Sequence, residues 1–127
     1  MTLADLIGIP WKVRGRSLTG IDCVGLATMA QEVFHGREIN FPQDYDEEDY
    51  LEQSEIILHE VLRLFEPTEK PQQGDIGLFF FQNCWHVVTF TDTNHFLHIF
   101  EGKTSRISRL TPAYRRFLKG VYKWRER

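Results

Sequence analysis

The apolar residues of this 127-residue chain change their spacing once, at Pro71, and that change decides what it can fold into. Before Pro71 they recur at helical intervals; after it they come in short aromatic and β-branched runs. Across residues 24–34, Leu26, Ala30, Val33 and Phe34 fall on one helical face, and Gly36 supplies a left-handed stop. Asp22 stands at the N-cap, so Cys23 is the first helical residue. A second helix is predicted over about residues 47–65, with Leu51, Ile57, Leu58, Val61, Leu62 and Phe65 as its apolar face and Pro67 as its end.

Beyond Pro71, residues 75–81, 85–91 and 96–101 predict strands, with turns at Gln82-Asn83 and Asp92-Thr93-Asn94, and residues 106–110 and 120–124 predict two more. Helices followed by a meander, instead of alternating βαβ units, predict an α+β domain: N-terminal helices packed on an antiparallel sheet of about five strands. There is no repeat or low-complexity segment, so residues 1–127 are expected to form one domain.

Composition removes several classes of function. A net charge of −3 argues against a nucleic-acid binder, although the signs are segregated. Residues 44–49 (DYDEED) are nearly all acidic, while the stretch from Arg106 to Arg127 is basic; solvated surface accounts for both, and the basic stretch is also suited to an anionic polymer. No apolar run is long enough to span a bilayer, and the N-terminus lacks the layout of a signal peptide, which predicts a chain that is cytoplasmic when made. Two cysteines without a disulfide framework predict a reducing compartment or a functional thiol, and no zinc-type cysteine pair or cofactor motif is present.

Cys23 is the informative one. A cysteine in the first turn of a helix meets unpaired backbone N–H groups and the positive end of the macrodipole, both of which favour thiolate and can hold a developing oxyanion. A buried structural thiol explains the position as well, until a base is found. Of the five histidines, His35 and His59 read as helix-surface residues. His86 and His98 instead interrupt apolar strands, and a hairpin about residues 92–94 brings those strands side by side. A thiol, an imidazole that shuttles its proton and a third group that orients the imidazole make a nucleophilic triad, and Cys23, His86 and His98 supply all three. Cys84 shares a strand face with His86, so a regulatory disulfide or a metal site with Cys23, His86 and His98 is conceivable; without compact ligand spacing, an ordinary thiol at a strand edge is favoured. Trp11 and Trp85 read equally as core aromatics or cleft walls, and Asp22 reads as a cap more than as an acid.

The blocks that carry these residues resemble the NlpC-type cell-wall cysteine peptidases. Gly8-Ile9-Pro10-Trp11 followed by Gly20-Ile21-Asp22-Cys23-Val24-Gly25-Leu26 resembles the nucleophile block; Pro71-Gln72-Gln73-Gly74-Asp75 resembles the Pro-x-x-Gly-Asp strand; His86-Val87-Val88 and Phe96-Leu97-His98 resemble the two histidine strands. The resemblance implies a pared-down papain-like fold with Cys23 as nucleophile, His86 as general base and later acid, and His98 orienting His86, and it implies no metal and no cofactor. The implied reaction is hydrolysis of an amide bond in peptidoglycan stem peptides, typically between γ-D-glutamate and a diamino acid. Trp11, Asp22 and Trp85 are the candidates for the oxyanion site or cleft wall, Trp11 standing where many relatives carry a Tyr.

The stretches around residues 14–16 and after His98 are most similar to phage and prophage tail-associated members, which implies a virion-associated protein with tail proteins as partners. The chain departs from the family pattern at Val24, usually Ser, which removes a hydroxyl, and at Val88-Thr89, often Gly-Ile, and Ile99, usually small, whose bulk narrows the cleft. Two other functions fit the same residues: a catalytically weak structural or assembly component of a phage tail, and a same-fold cysteine amidase or acyltransferase acting on a substrate outside the wall. An apolar groove favours a lipid substrate, and a cleft with basic groups favours stem-peptide carboxylates.

Overall fold

The computed structural model describes residues 1–42, 45 and 50–126. Most of the acidic run at 44–49, and the predicted start of the second helix, lie outside the described residues. The chain opens with a helical turn, Leu3–Leu6, and a small hairpin of β1 (Arg16–Ser17) and β2 (Gly20–Ile21) that leads into α1 (Cys23–His35). Asp22 is the N-cap of α1, its carboxylate accepting from the Gly25 N–H, and Gly36 ends the helix in the left-handed region at φ 61°.

Then come α2 (Tyr50–Leu64), β3 (Phe65–Pro67), β4 (Ile76–Phe81), β5 (Cys84–Asp92), β6 (His95–His98), β7 (Arg106–Arg109), a short helix α3 (Pro112–Arg115) and β8 (Leu118–Trp124). β3 to β8 form one antiparallel sheet in the order β3-β8-β4-β5-β6-β7. It has six strands, where about five were expected.

The extra strand is β3, and it corrects the second helix as well. Phe65 and Pro67 belong to the sheet, not to a helical face and its stop. β3 pairs with β8, and the Phe65 ring meets Trp124 edge-on at 5.4 Å. Arg125 replaces the missing helical partners of the α2 end: its backbone N–H bonds the Leu64 carbonyl, and its guanidinium bonds those of Leu62 and Phe65 at 3.1 and 2.9 Å. Proline is tolerated on an edge strand, where its missing N–H costs no ladder bond. On α2, Ile57, Val61 and Leu64 are buried, whereas Leu51 and Leu62 are exposed.

The sheet separates two apolar clusters. Leu26, Ala27 and Ala30 of α1 and Ile57 and Val61 of α2 share the first with Ile76, Leu78, Val87 and Leu97. The second, on the opposite face, combines Phe79, Val88, Phe90, Phe96 and Leu110 with Tyr114 and Phe117. Strand alternation produces this division, since Val87 and Val88, or Phe96 and Leu97, necessarily point to opposite sides. The β4–β5 turn is a two-residue hairpin with Gln82 and Asn83 at φ 53° and 61°, the geometry that matches the twist of the flanking strands. Between α2 and the sheet, the Pro71 to Asp75 block forms a turn in which Asp75 accepts from the Gln72 N–H, and buried Gln31 of α1 donates to the Gly74 carbonyl at 2.7 Å.

Gly25 is where α1 comes closest to the hairpin before it. A Cβ there would run into the Gly15 carbonyl oxygen and lie 2.8 Å from a side-chain carbon of Ile21, and backbone cannot give way as a flexible side chain can. Gly25→Ala is therefore expected to destabilise the fold by about 3 kcal/mol in urea unfolding, far more than a helix-propensity change would permit; a variant as stable as the parent would refute this packing.

Candidate active site

Cys23 takes its position from a buried carboxylate. Asp22 has no accessible surface. One of its oxygens accepts from Gly25 N–H and from the Arg16 guanidinium, each at 2.8 Å; the other accepts from Arg14 N–H at 2.9 Å and from the Tyr45 hydroxyl. Arg16 also donates to the carbonyls of Gly15 and Pro42. This network holds the hairpin, the helix start and Tyr45 together. Burial and the neighbouring carboxylate push the Tyr45 phenol up, so it stays a neutral donor.

Cys23 is 7% exposed and forms part of a cleft of about 910 Å³. Burial, then the Asp22 charge, push its thiol up to about 12, against the smaller opposing effects of the Val87 and Val24 backbone N–H groups and of Arg16. Cys23 rests as a thiol, not a thiolate, even though it begins a helix. Desolvation here outweighs the helix end.

His86 and Cys84 line the same cleft, as do Trp11 and Trp85; Asp22 and His98 do not. The Trp85 N–H bonds Ser54 of α2 at 2.8 Å, which fixes the start of β5 beside that helix. Because Val87 faces the helices, His86 projects from the other side of the strand, where it lines the cleft. Its ring bonds the Phe81 carbonyl, and burial lowers its pKa below the ordinary histidine value, so at neutral pH it is an uncharged imidazole.

His98 lies deeper, 1% exposed, on the same sheet face as His86. Its Nε2 is 2.7 Å from the Ser108 hydroxyl, while its Nδ1 is buried with no partner. Burial, aided by the Arg106 charge, lowers its pKa to about 4. Among the described residues, no hydrogen bond joins His86 to Cys23 or to His98. The Phe100 ring instead packs edge-on against both imidazoles, 5.6 Å from His86 and 5.0 Å from His98.

Sequence reasoning missed Phe100, Ser108 and the aromatic wall of Phe81, Tyr114 and Phe117. A polar residue at alternate spacing within the short strand Arg106–Arg109 was the available signal for Ser108, and nothing in the sequence marked Phe100 as an inter-histidine contact. Among the described residues, no group of three or more His, Cys, Asp or Glu is arranged to hold a metal ion. Neither cysteine is in a disulfide.

The fold has counterparts among solved structures. An NlpC/P60 family protein from Bacillus cereus ATCC 10987 superposes with a TM-score of 0.64 at 24% identity, over 94% of this chain and 36% of that one. A protein from Staphylococcus aureus subsp. aureus Mu50, described as similar to lipoprotein, NLP/P60 family, superposes at 0.62 with 18% identity, over 96% of this chain and 38% of that one. The chain has the NlpC/P60 fold. It spans well under half the length of either neighbour. No family model and no curated protein matches its sequence. No helix of this NlpC/P60 fold, among the described residues, is long and apolar enough to cross a membrane.

His98 ties stability to pH. Its folded-state pKa lies near 4, below the ordinary 6.5, so the unfolded chain binds the proton more readily between those values. The associated stability is whole above pH 6.5 and is lost as pH falls toward 4, by on the order of 3 kcal/mol. Urea titrations of the parent and of His98→Gln at pH 7 and pH 4.5 should show the parent losing more stability by that margin, and parallel losses would overturn it.

Proposed function

We propose that this protein is a cysteine peptidase that hydrolyses an amide bond in peptidoglycan stem peptides, at the γ-D-glutamyl to diamino acid linkage. The observation that carries the proposal is a thiol in the first turn of α1, held by the Asp22 network, opening into the same cleft as a neutral imidazole within an NlpC/P60 fold. Because burial keeps Cys23 protonated, the route is general-base catalysis and not a preformed ion pair. As Sγ bonds to the amide carbonyl carbon, its proton passes to His86. The C–N bond then breaks and the amine leaves with that proton, and water hydrolyses the thioester through the same imidazole.

The N–H groups at the start of α1 are directed at the developing oxyanion, with the Trp11 indole as a further donor on the cleft wall. His98 is assigned a positioning role, exerted through the Phe100 ring that both imidazoles touch. The phage-tail setting rests on the sequence resemblance alone, and with it the association with tail proteins.

A second reading, a catalytically weak structural or assembly component, is favoured by one observation: both histidines are held by groups other than the thiol, Phe81 for His86 and Ser108 for His98. The aromatic share of the cleft lining similarly favours an amidase or acyltransferase on an apolar substrate.

Incubation with purified peptidoglycan and defined stem peptides, with products identified by mass spectrometry, separates these readings. Cleavage at one amide bond is expected for the parent, with a loss of at least about 10³-fold in Cys23→Ala and His86→Ala. No cleavage by folded, reduced parent would refute the peptidase reading. Since burial lowers the His86 pKa, the base form persists under mild acid, and the acid limb of kcat/KM is expected below pH 6.5. A limb at or above pH 7 would exclude the neutral His86 as base.

A further inference from the structure

From Gly102 to Arg125 the sequence has no Asp or Glu, although the whole chain carries a net charge of −3. The segment that joins β7 to β8 lies within this stretch. Because the sheet runs β3-β8-β4-β5-β6-β7, that segment has to cross β6, β5 and β4. It does so over the second apolar cluster, where Tyr114 meets Phe96 edge-on at 5.1 Å and Phe117 meets Phe81 edge-on at 5.1 Å. With the aromatic residues turned inward, the cations are left outside. Arg109 ends β7, Arg115 and Arg116 end α3, and Lys119 follows at the start of β8; all four are exposed.

None of the four forms an ion pair among the described residues. Asp92, two strands away from Arg109, is held by His95 at 3.0 Å, and Glu66 on the opposite edge strand lies 3.7 Å from Lys123. The backbone beneath the cations is fixed. Thr111 caps α3 by accepting from the Tyr114 N–H, the Phe80 N–H bonds the Phe117 carbonyl at 2.9 Å, and the Lys119 ammonium bonds the Arg116 carbonyl at 3.4 Å. Four like charges are thereby held on one short crossover, and an anionic partner relieves their mutual repulsion.

Their layout selects the partner. A small anion needs side chains that converge in a pocket, whereas these are spread over β7, α3 and β8, so affinity comes from many weak contacts along an extended chain. Three of the four are guanidiniums, whose planar forks match paired phosphate oxygens. Nucleic acid is disfavoured, because Tyr114 and Phe117 face the sheet instead of offering rings for bases to stack on, and the rest of the chain is acidic. Resting on the proposed wall substrate for the choice of polymer, we infer that Arg109, Arg115, Arg116 and Lys119 form a docking surface for a flexible phosphodiester polymer with aliphatic repeat units, the polyol phosphate class. Ala113, Tyr114 and Phe117 of the same crossover line the cleft, so a docked polymer lies beside it. Lys103 and Arg106 also line the cleft and are not part of this surface.

The test measures affinity by calorimetry over a range of salt concentrations, using the full chain with Cys23→Ala so that nothing turns over. The probes are polyglycerol phosphate, uncharged polyglycerol, monomeric glycerol phosphate and single-stranded DNA. Polyglycerol phosphate is expected to bind at least about tenfold more tightly than each of the others. Adding Arg109→Gln, Arg115→Gln, Arg116→Gln and Lys119→Gln is expected to lower that affinity at least about tenfold and to flatten the slope of log affinity against log salt by about 3. Arg109→Lys with Arg115→Lys and Arg116→Lys is expected to keep most of the binding, and unfolding midpoints check that each variant is folded.

Equal affinity in the neutralised and unaltered chains, no binding of polyglycerol phosphate at low salt, or equal or tighter binding of the monomer or of DNA overturns the surface. With Cys23 intact, cleavage of isolated stem peptides is expected to be the same with and without the four neutral substitutions. Polymer binding without stem-peptide cleavage upholds the surface and refutes the hydrolysis. Cleavage without polymer binding does the reverse.

Discussion

The structure depends on one buried carboxylate. Asp22 is out of reach of water, and an ionised oxygen pair in that position is tolerable only when every lone pair has a donor. Four donors meet it: the Gly25 and Arg14 N–H groups, the Arg16 guanidinium and the Tyr45 hydroxyl. They come from the helix, the loop before it, the hairpin and a segment more than twenty residues later, so satisfying this one group assembles the N-terminal half. It also seats Cys23. The same negative charge, together with burial, raises the neighbouring thiol. The residue that places Cys23 thus also helps keep its thiol protonated at rest.

Alternation sends Val87 and Leu97 toward α1 and α2 and sends His86 and His98 to the other face, with Phe79, Phe90 and Phe96. Cys23 and His86 nevertheless line one cleft. Burial affects both partners in the same direction, toward their uncharged forms, raising the thiol and lowering the imidazoles. The Phe100 ring packs against both histidines and offers no proton path between them.

The fold persists at 24% and 18% identity to its structural neighbours. Much of it was legible in the sequence because local rules were enforced by single residues. The Asp22 cap, the Gly36 stop, the Gln82-Asn83 turn and the period-2 strands from residue 76 onward all follow from short-range preferences that tertiary contacts did not oppose. The misread junction at Leu64 to Pro67 had the opposite character. Its helical apolar spacing is real, but Phe65 packs better against Trp124, and Arg125, sixty residues away in the chain, supplies donors to the carbonyls of the helix end. No window of neighbouring residues contains that information.

The sequence by itself determined the order of elements, the helix-start position of Cys23 and the placement of His86 and His98 on adjacent strands, because capping, turn and alternation preferences act over a few residues. Only the tertiary structure decided the environment of each group: a thiol raised by burial, His98 paired with Ser108 instead of its sister imidazole, Phe100 between the histidines, and Lys103 and Arg106 on the cleft rim. The physical reason is that burial and electrostatic neighbourhood are set by which distant segments pack together, and desolvation alone is large enough here to reverse the protonation that a helix N-terminus would favour.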